Sequence, residues 1–375
     1  MKKQVLAIAL SAVLLLSAVG CGSTGGASTP PSSNPSSDSA STPAAQELNA
    51  AVFYYNFSDV YISSVRASMD EQLKTLGVKF QNYDANSNQA TQTDQINTAI
   101  TNGANLLIVN IVETSSPDAA MGAVEAAKTA GIPIIFFNRE VSDDVVKSYE
   151  KCAFVGTNAP EAGHMQGQMI AEYLLGNYDS VDLNGDGVIS YVMFKGQEGN
   201  AEAEYRTQFA VEDADAKLTE AGKKPLAFYD ANNTSKYLVD QGGNWSAQAA
   251  TDYMNTILAE YSEANGNMIE MIIANNDGMA EGAVSALQTA GYNKGEGGKT
   301  IPVFGVDATD SAKQLIKEGK MTGTVKQDAV GMAKTIAALV GNIKDGAALM
   351  DNTSDFNVDS GVAKIRVPYG VYTGE

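Results

Sequence analysis

The sequence Ala51-Val52-Phe53-Tyr54-Tyr55 is a short apolar and aromatic run of the kind that forms a buried strand. A polar exit follows at residues 56–61, and then an amphipathic segment at residues 62–76. Apolar residues recur along that segment every three or four positions, which is the period of a helix with one buried face. Gly77 follows, in the position where a left-handed residue commonly ends a helix. The stretch therefore predicts one β-strand followed by one α-helix.

The same strand-then-helix unit recurs along the rest of the chain. Alternating units of this kind form parallel sheets with helices on both faces. The predicted strands are too many for one such sheet, so we expect an α/β protein with two Rossmann-like lobes. The strands are predicted at residues 51–55, 78–83, 106–110, 133–138, 153–156, 189–194, 226–229, 270–275, 303–306 and 322–325.

Polar side chains stand where the predicted strands end. Ligands of open α/β sheets bind beyond the carboxyl ends of the strands, so these residues are candidates for ligand contact. The exit of the first strand has no glycine-rich phosphate loop, which argues against a nucleotide site. Carboxylates and amides with aromatic rings nearby suit a ligand rich in hydroxyl groups, because each hydroxyl both donates and accepts hydrogen bonds. The candidates are Asp59, Asn110, Asn138, Asp230, Asn276, Asp277 and Asp307.

A calcium-loop pattern runs Asp182-Leu183-Asn184-Gly185-Asp186-Gly187-Val188-Ile189-Ser190. Oxygen-bearing side chains stand at loop positions 1, 3, 5 and 9, glycine stands at 6, and position 7 offers a backbone carbonyl. Position 12, where an EF-hand carries glutamate, is Met193, and a predicted strand follows the loop. The last carboxylate must therefore come from elsewhere in the chain. A surface turn rich in Asp, Asn and Gly is the alternative.

The N-terminus has the pattern of a secretory signal. Lys2 and Lys3 precede an apolar run at residues 5–19, which is too short to span a membrane as a helix. Ala18-Val19-Gly20-Cys21 is similar to a bacterial lipobox, in which the cysteine becomes the lipidated N-terminus. Residues 22–47 are almost all small or polar and should form a flexible tether after the signal peptide, residues 1–21. An ordinary cleaved signal with an incidental cysteine is the alternative.

Composition limits the classes of partner. The chain has 25 Lys and Arg against 44 Asp and Glu, a formal net charge of −19. This charge argues against nucleic acid, whose phosphates require a basic surface, and against polybasic contact with anionic lipid. The 44% of apolar residues is enough for a large core. Cys152 is expected to be a buried small hydrophobe, since Cys21 is the one other cysteine.

Four motifs stand nearly verbatim as in a known family: Phe136-Phe137-Asn138, Ile273-Ala274-Asn275-Asn276-Asp277, Pro302-Val303-Phe304-Gly305-Val306-Asp307-Ala308 and Arg366-Val367-Pro368-Tyr369. With the calcium loop and the strand-helix series, the chain resembles the bacterial periplasmic-type galactose/glucose-binding proteins over residues 48–370. Those proteins are the substrate-binding subunits of ABC sugar importers. The resemblance implies the type I periplasmic binding protein fold, with a ligand cleft between the lobes.

The resemblance also implies a set of ligand contacts, residue by residue. The sugar contacts of the first lobe would be Asp59, Tyr61 and Asn110, with Tyr61 as the stacking aromatic. Those of the second lobe would be Asn200, Glu202, Arg206, Trp245, Asn276, Asp307 and Gln327. A structural calcium ion would be held by Asp182, Asn184, Asp186, Val188, Ser190 and Glu270, with Glu270 completing the shell.

The clearest departure from the family lies at Asn200 and Glu202, where galactose/glucose binders usually have His and then Asp. Glutamate is one methylene longer than aspartate and would extend into the cleft. A buried polar group left unpaired costs about 1–3 kcal/mol, which is enough to change the preferred sugar. Asp59, Glu202 and Asp307 outnumber Arg206, so we expect a neutral monosaccharide rather than a sugar acid.

The resemblance implies three chain crossings between the lobes, predicted near residues 131–133, 326–329 and 366–368. The first lobe would then comprise residues 48–132 and 328–366, and the second lobe residues 133–327 and 367–375. The expected protein is a non-enzymatic, monomeric lipoprotein on the outer face of a bacterial cell membrane. It would deliver a galactose- or glucose-like sugar to an ABC permease and its ATPase.

Several alternatives stay open at this stage. Another aldose or a pentose is a possible ligand, and a sensor that reports to a membrane receptor or kinase is not separable from a transporter subunit by sequence. A glycoside hydrolase needs two carboxylates that flank one bond, but the chain has no nucleophile elbow and one His. A sugar-responsive transcription regulator would need a basic helix-turn-helix head, where this chain has a signal and a tether.

Overall fold

The structure is a computed structural model that describes residues 47–374. The predicted signal peptide, nearly all of the tether, and Cys21 lie outside the described residues. Within them, no helix is long and apolar enough to cross a membrane. The described strands are β1 (Asn49–Tyr54), β2 (Lys79–Asp84), β3 (Leu106–Val109), β4 (Ile134–Phe137), β5 (Cys152–Gly156), β6 (Ser190–Lys195), β7 (Ala227–Phe228), β8 (Leu238–Val239), β9 (Met271–Ala274), β10 (Val303–Asp307), β11 (Gly323–Gln327), β12 (Asn357–Val358), β13 (Lys364–Arg366) and β14 (Tyr369–Tyr372).

The helices alternate with these strands along most of the chain. They are α1 (Val60–Thr75), α2 (Gln89–Thr101), α3 (Asp118–Ala130), α4 (Asp143–Lys147), α5 (Ala159–Val181), α6 (Ala201–Glu220), α7 (Ala247–Glu260), α8 (Asp277–Thr289), α9 (Asp310–Lys317) and α10 (Ala329–Lys344).

The strands form two seven-stranded sheets, one in each lobe. The first sheet has the order β12-β13-β5-β4-β3-β1-β2, and the second has the order β14-β11-β10-β9-β6-β7, with β8 also paired to β6. All pairs are parallel except β12 with β13 and β11 with β14. The central strands β3, β4 and β9 are wholly apolar and buried, as expected for a parallel sheet covered on both faces. The predicted two-lobed α/β fold is confirmed.

Each sheet lies between two hydrophobic clusters. Along β1, Val52 and Tyr54 point into one cluster while Ala51 and Phe53 point into the other, because successive side chains of a strand face opposite sides. A fully buried large apolar side chain contributes about 1.5–3 kcal/mol, so these clusters hold each lobe together. Cys152 is 1% exposed and belongs to the cluster that contains Ala51 and Phe53.

Polar residues at the strand ends begin several helices. Asp59, Asn200 and Asn276 each cap a helix, accepting a hydrogen bond from the backbone N–H three residues further on. Such a cap satisfies one of the N–H groups that a helix leaves unpaired at its start. The caps therefore fix these three residues at the carboxyl edges of the sheets, where ligands of α/β proteins bind.

The first crossing between the lobes differs from the prediction. Strands β4 and β5 pair within the first sheet, although residues from 133 onward were assigned to the second lobe. The sequence pattern predicts where each strand lies in the chain, but it does not predict which sheet the strand joins. In the structure, successive right-handed crossovers add β4 beside β3 and β5 beside β4. The chain leaves the first lobe after β5 instead. It returns between β11 and α10, which packs on α1, and crosses again between β13 and β14.

Candidate binding site

A cavity lies between the two lobes at the carboxyl ends of their strands. Its empty space is about 350 Å³, including the opening to solvent. Both lobes supply its walls. The lining residues are Tyr55, Asp59, Tyr61, Ile62, Asn138, Arg139, Asn200, Glu202, Arg206, Trp245, Asn276, Asp307 and Gln327.

Nine of the ten sugar contacts that the resemblance implies line this cavity, and Asn110 does not. The strand-end candidates Asp230 and Asp277 do not line it either. Asn110 is fully buried beneath the wall of the first lobe. Its Oδ1 accepts from the Tyr55 backbone N–H at 3.2 Å, and its Nδ2 donates to Phe137 O and to Asn138 Oδ1. The oxygen and the nitrogen of the Asn110 side chain are thus both hydrogen-bonded to residues at the ends of neighbouring strands. The structure places Asn110 within the wall rather than on the cavity surface, and its contact with a ligand stays a prediction.

The cavity also contains Tyr55, Ile62 and Arg139, which were absent from the predictions, and Asn138, which was predicted only as a strand-end candidate. Arg139 is 4% exposed, and its guanidinium lies 3.4 Å from the centre of the Tyr55 ring. Its Nη1 donates to Val112 O at 2.7 Å. Arg139 follows Asn138 at the end of β4, and this placement is the signal that could have identified it. The cavity therefore carries two guanidinium groups rather than one.

Several buried polar atoms of the cavity wall have no hydrogen-bond partner within residues 47–374. They are both carboxylate oxygens of Glu202, Arg139 Nη2, Arg206 Nε, Trp245 Nε1 and Gln327 Nε2. An unpaired buried polar group costs about 1–3 kcal/mol, so these atoms are poised for a partner that supplies both donors and acceptors. The wall thus offers acceptors on one residue and donors on four, with both lobes represented.

Arg206 is held firmly at the inner end of the cavity. Its Nη1 donates to Asn275 O at 2.8 Å, and its Nη2 donates to Gln327 Oε1 and to the Tyr369 hydroxyl, both at 3.0 Å. The Tyr369 hydroxyl lies 2.8 Å from Thr157 Oγ1. Gln327, Tyr369 and Thr157 lie beside the three chain crossings. One guanidinium therefore connects the cavity to every segment that joins the lobes.

Burial shifts the acid groups of the cavity toward their neutral forms. It raises the pKa of Glu202 to about 7, while the nearby Arg206 guanidinium acts in the opposite direction. Burial also raises the pKa of Asp307 well above its usual range, again opposed by Arg206. Asp59 is arranged differently, since its carboxylate accepts from the Tyr55 hydroxyl at 2.5 Å and caps α1. The cavity consequently carries less negative charge than its acid residues alone imply.

The backbone is strained at three residues that line the cavity. Asn138 has a φ of 63°, Trp245 of 56° and Asp307 of 127°, all in the region that favours glycine. Left-handed conformations are rare for a bulky residue such as Trp and persist where surrounding contacts enforce them. The Trp245 carbonyl accepts from Asn276 Nδ2 at 3.1 Å, and its ring covers Gly196, where a Cβ would lie 2.1 Å from a ring carbon. Such strain clusters at functional sites.

The predicted calcium loop lies in the second lobe, away from the cavity, and Glu270 reaches it. Glu270 Oε1 accepts from Leu183 N and Oε2 accepts from Ser190 N, both at 2.8 Å. Asp182 accepts from the N–H groups of Gly185 and Gly187 within the loop. No group of three or more His, Cys, Asp or Glu side chains among residues 47–374 is arranged around a common metal position. The available donors are all oxygens, which is the chemistry that calcium prefers.

Residues 50–348 match the family model of the periplasmic binding protein domain. The chain belongs to this family. It is 34% identical over 330 residues to the D-galactose/methyl-galactoside binding periplasmic protein of Haemophilus influenzae, an alignment that covers 88% of this chain and 90% of the relative. It is 32% identical over 280 residues to a putative rhizopine-binding protein of Rhizobium meliloti, covering 74% of this chain and 78% of the relative.

Solved structures share the fold. An ABC transporter solute binding protein from Bacillus halodurans with bound myo-inositol superposes with a TM-score of 0.66 at 24% identity, covering 89% of this chain and 96% of the other. One from Clostridium phytofermentans with bound β-D-glucose gives a TM-score of 0.67 at 21% identity, covering 87% and 94%. The family consists of extracytoplasmic solute-binding proteins and is not a family of enzymes.

Proposed function

We propose that this protein binds a neutral monosaccharide between its lobes and is the substrate-binding subunit of an ABC importer. The observation that carries this proposal is the set of unpaired buried polar atoms that both lobes aim into one cavity. A ligand that contacts both lobes at once favours the closed form over the open form by differential contact. The relative from Haemophilus influenzae, named for binding galactose and methyl-galactoside, supports a sugar as that ligand.

The chemistry of the wall favours hydroxyl groups. Each sugar hydroxyl donates and accepts, so it can pair with a Glu202 oxygen and with an N–H of Arg206, Trp245 or Gln327. Tyr61 and Trp245 line the same cavity and offer ring faces to the C–H groups of a sugar. Apolar faces together with paired polar groups distinguish a sugar site from a site for an ion.

Charge favours a neutral ligand. The cavity holds Asp59, Glu202 and Asp307 against Arg139 and Arg206, and burial raises the pKa of both Glu202 and Asp307. The two arginines and the partly protonated acids leave little net charge to be matched. A galactose- or glucose-like aldohexose is our first choice of ligand. Asn200 and Glu202 are the residues on which a preference for another aldose or a pentose would depend.

A thermal-shift screen against neutral hexoses and pentoses tests the proposal. A ligand present at about 100 times its Kd adds about 2.7 kcal/mol of stability, which a melting curve resolves. We expect a clear rise in Tm with at least one aldose. No shift with any neutral monosaccharide would contradict the proposal and favour the sensory or enzymatic alternatives with other ligands.

We also propose that a structural calcium ion binds at the loop of residues 182–190. Asp182, Asn184, Asp186, Ser190 and Glu270 would supply side-chain oxygens, and Val188 its carbonyl. The support is the oxygen-only donor set and the position of Glu270 against the loop. The bound cation would offset the repulsion between the carboxylates that this arrangement gathers.

The location at the membrane is a further part of the proposal. We expect lipidation of Cys21 to anchor the protein as a monomer on the outer face of the cell membrane, beside its permease and ATPase. The lipobox-like leader and the polar tether support this expectation. A Cys21→Ser variant expressed as the full chain should lose incorporation of labelled lipid and should be released from membranes. A sensor kinase or chemoreceptor as an additional partner stays a prediction.

A further inference from the structure

The loop between β8 and α7, residues 240–246, reaches from the second lobe to the first. Asn244 Oδ1 accepts from Ser87 Oγ at 2.5 Å and from Asn56 Nδ2 at 3.4 Å. Asn56 Nδ2 also donates to Ser87 Oγ at 2.9 Å. Asn56 follows β1 and Ser87 follows β2, so both belong to the first lobe. We call these three side chains the Asn244 cluster.

The first lobe presents its part of the cluster on a constrained backbone. Ser87 has a φ of 57° and follows Asn86, whose φ is 49°. The Ser87 N–H donates to Tyr55 O at 2.7 Å, which fixes the turn against the end of β1. Asn56 is 6% exposed, and its Oδ1 accepts from both the N–H and the hydroxyl of Ser58. Hydrogen bonds within the first lobe therefore hold both residues in place.

The second lobe holds Asn244 equally firmly. Asp240 accepts from the N–H of Gly242 at 2.9 Å and from both the N–H and the hydroxyl of Ser246, so it closes the loop on itself. A Cβ on Gly242 would lie 2.5 Å from Asn244 Nδ2, so only glycine leaves the amide its present position. Within residues 47–374, Asn244 Oδ1 has no donor in its own lobe. Its hydrogen bonds all cross between the lobes.

The cluster lies outside the ligand cavity but next to it. Among the described residues that line the cavity, Asn56, Ser87 and Asn244 are absent, whereas Trp245 is present. Because Trp245 follows Asn244 directly, the loop that carries Asn244 also carries the indole ring that lines the cavity. The cluster can therefore respond to closure of the lobes without any contact with the ligand.

We propose that Asn244, Ser87 and Asn56 form a latch that sets the affinity of the cleft without touching the sugar. The inference rests on the proposed function, because a latch matters only where the lobes close on a ligand. Apparent affinity depends on how favourable the binding-competent state is, so bonds made only in the closed state strengthen binding. Their loss should act mainly on dissociation, since they form after the ligand has entered.

The test is a double-mutant cycle on the full chain with Asn244→Ala, Ser87→Ala and the double variant. Trp245 is the one Trp in the sequence, so its fluorescence follows binding of D-galactose or of the aldose with the largest thermal shift. Each single variant should weaken binding about threefold to tenfold, the size of one or two hydrogen bonds, mostly through faster release. The double variant should be no weaker than the weaker single variant.

Asn232→Ala is the matched control, because the Asn232 side chain bonds to Asp230 in an exposed loop of the same lobe. It should bind as the wild type does. The ligand-free melting temperature should be unchanged in Asn244→Ala, whose lost hydrogen bonds all cross between the lobes, and this separates a latch from a fold defect. The latch would be overturned if the single variants bound the sugar as tightly as the wild type. It would also be overturned if the loss of affinity in the double variant equalled the product of the two single losses. In both cases the proposed function would stand. A wild type that responds to no monosaccharide would overturn both.

Discussion

The buried carboxyl group of Glu202 should make the stability of the protein depend on pH. Burial raises its pKa from 4.5 to about 7, so the folded protein keeps a proton that the unfolded chain has already lost. Between about pH 4.5 and pH 7 the unfolded chain therefore binds fewer protons than the folded protein. Stability falls as pH rises through this window, because it changes in proportion to that difference.

A Glu202→Gln variant should remove this dependence. At pH 5 its stability should be close to that of the wild type, whereas at pH 8 the variant should be more stable by about 1–3 kcal/mol. Urea unfolding of the ligand-free protein at the two pH values measures the difference. If the difference in the free energy of unfolding between the variant and the wild type were the same at pH 5 and pH 8, Glu202 would not be buried as a neutral acid.

Asp307 is the residue whose loss should harm binding most with least harm to the fold. It ends β10 in a strained conformation that Asp277 supports by accepting from Thr309 N at 2.8 Å. Asp307→Asn keeps the shape but replaces one carboxyl oxygen, which can accept a hydrogen bond from a hydroxyl, with an NH2 group that can only donate. A buried polar group left unpaired in this way costs about 1–3 kcal/mol. Isothermal titration should show sugar affinity reduced by one to two orders of magnitude, or about 10–100-fold. Affinity within about twofold of wild type would remove Asp307 from the site.

For single residues, the sequence predicted which positions lie at the strand ends better than it predicted where their side chains point. Asp59, Asn276 and Asp307 stand at strand ends and line the cavity, as their positions suggested. Asn110 stands at such an end too, but hydrogen bonds from adjacent strands hold it inside the wall. Arg139 turns over the Tyr55 ring and enters the cavity, an outcome that depends on packing across β1 and β4. The place of Arg139 after Asn138 marks it as a strand-end residue, but the direction of its side chain leaves no local pattern in the sequence.

The close packing of α5 on α6 leads to a prediction for two glycines of α5. A Cβ on Gly163 would lie 2.4 Å from Tyr205 O, whereas one on Gly176, in the same helix, would meet nothing within 4 Å. Gly163→Ala should therefore destabilise the protein by about 1–3 kcal/mol through overpacking. Gly176→Ala should be neutral or stabilise it by up to about 1 kcal/mol, because alanine favours a helix. Chemical denaturation compares the two, and equal effects would mean that the helices do not pack this closely.

The calcium loop and the segment before β9 should act as one unit. If calcium binds there, about 100 times its Kd of calcium should stabilise the protein by about 2.7 kcal/mol, and EDTA should reverse the effect. Glu270→Gln should weaken this response while leaving sugar affinity unchanged, since the loop lies outside the cavity. Melting curves with calcium or EDTA measure the first effect and sugar titration the second. A calcium response identical to that of the wild type would remove Glu270 from the shell.

The order of strands and helices was predictable because apolar periodicity changes at each boundary. The assignment of strands to sheets was not, as β4 and β5 show, since each depends on hydrogen bonds to a distant strand. The two-residue strands β8 and β12 were not predicted, because they are too short for alternation to show. β14 is antiparallel at the edge of the second sheet, and only its motif suggested a link to the second lobe.

For the whole molecule, the cavity, the crossings and the Asn244 cluster form one closing device. Arg206 connects the inner end of the cavity to Gln327 and Tyr369 at the crossings. Asn244 joins the lobes again at the cluster with Ser87 and Asn56. A sugar between these two points would stabilise the closed form through contacts with both lobes, and a permease could then distinguish the loaded protein by its shape.

Fluorescence titration of Trp245 with neutral aldoses tests this account most directly, because the one Trp in the sequence lines the cavity. We predict a saturable change with a stoichiometry of about one sugar per chain for a galactose- or glucose-like aldose. The same titration of Asp307→Asn should need far more sugar. No change with any neutral hexose or pentose, or an equal change in Asp307→Asn, would contradict a sugar site between the lobes.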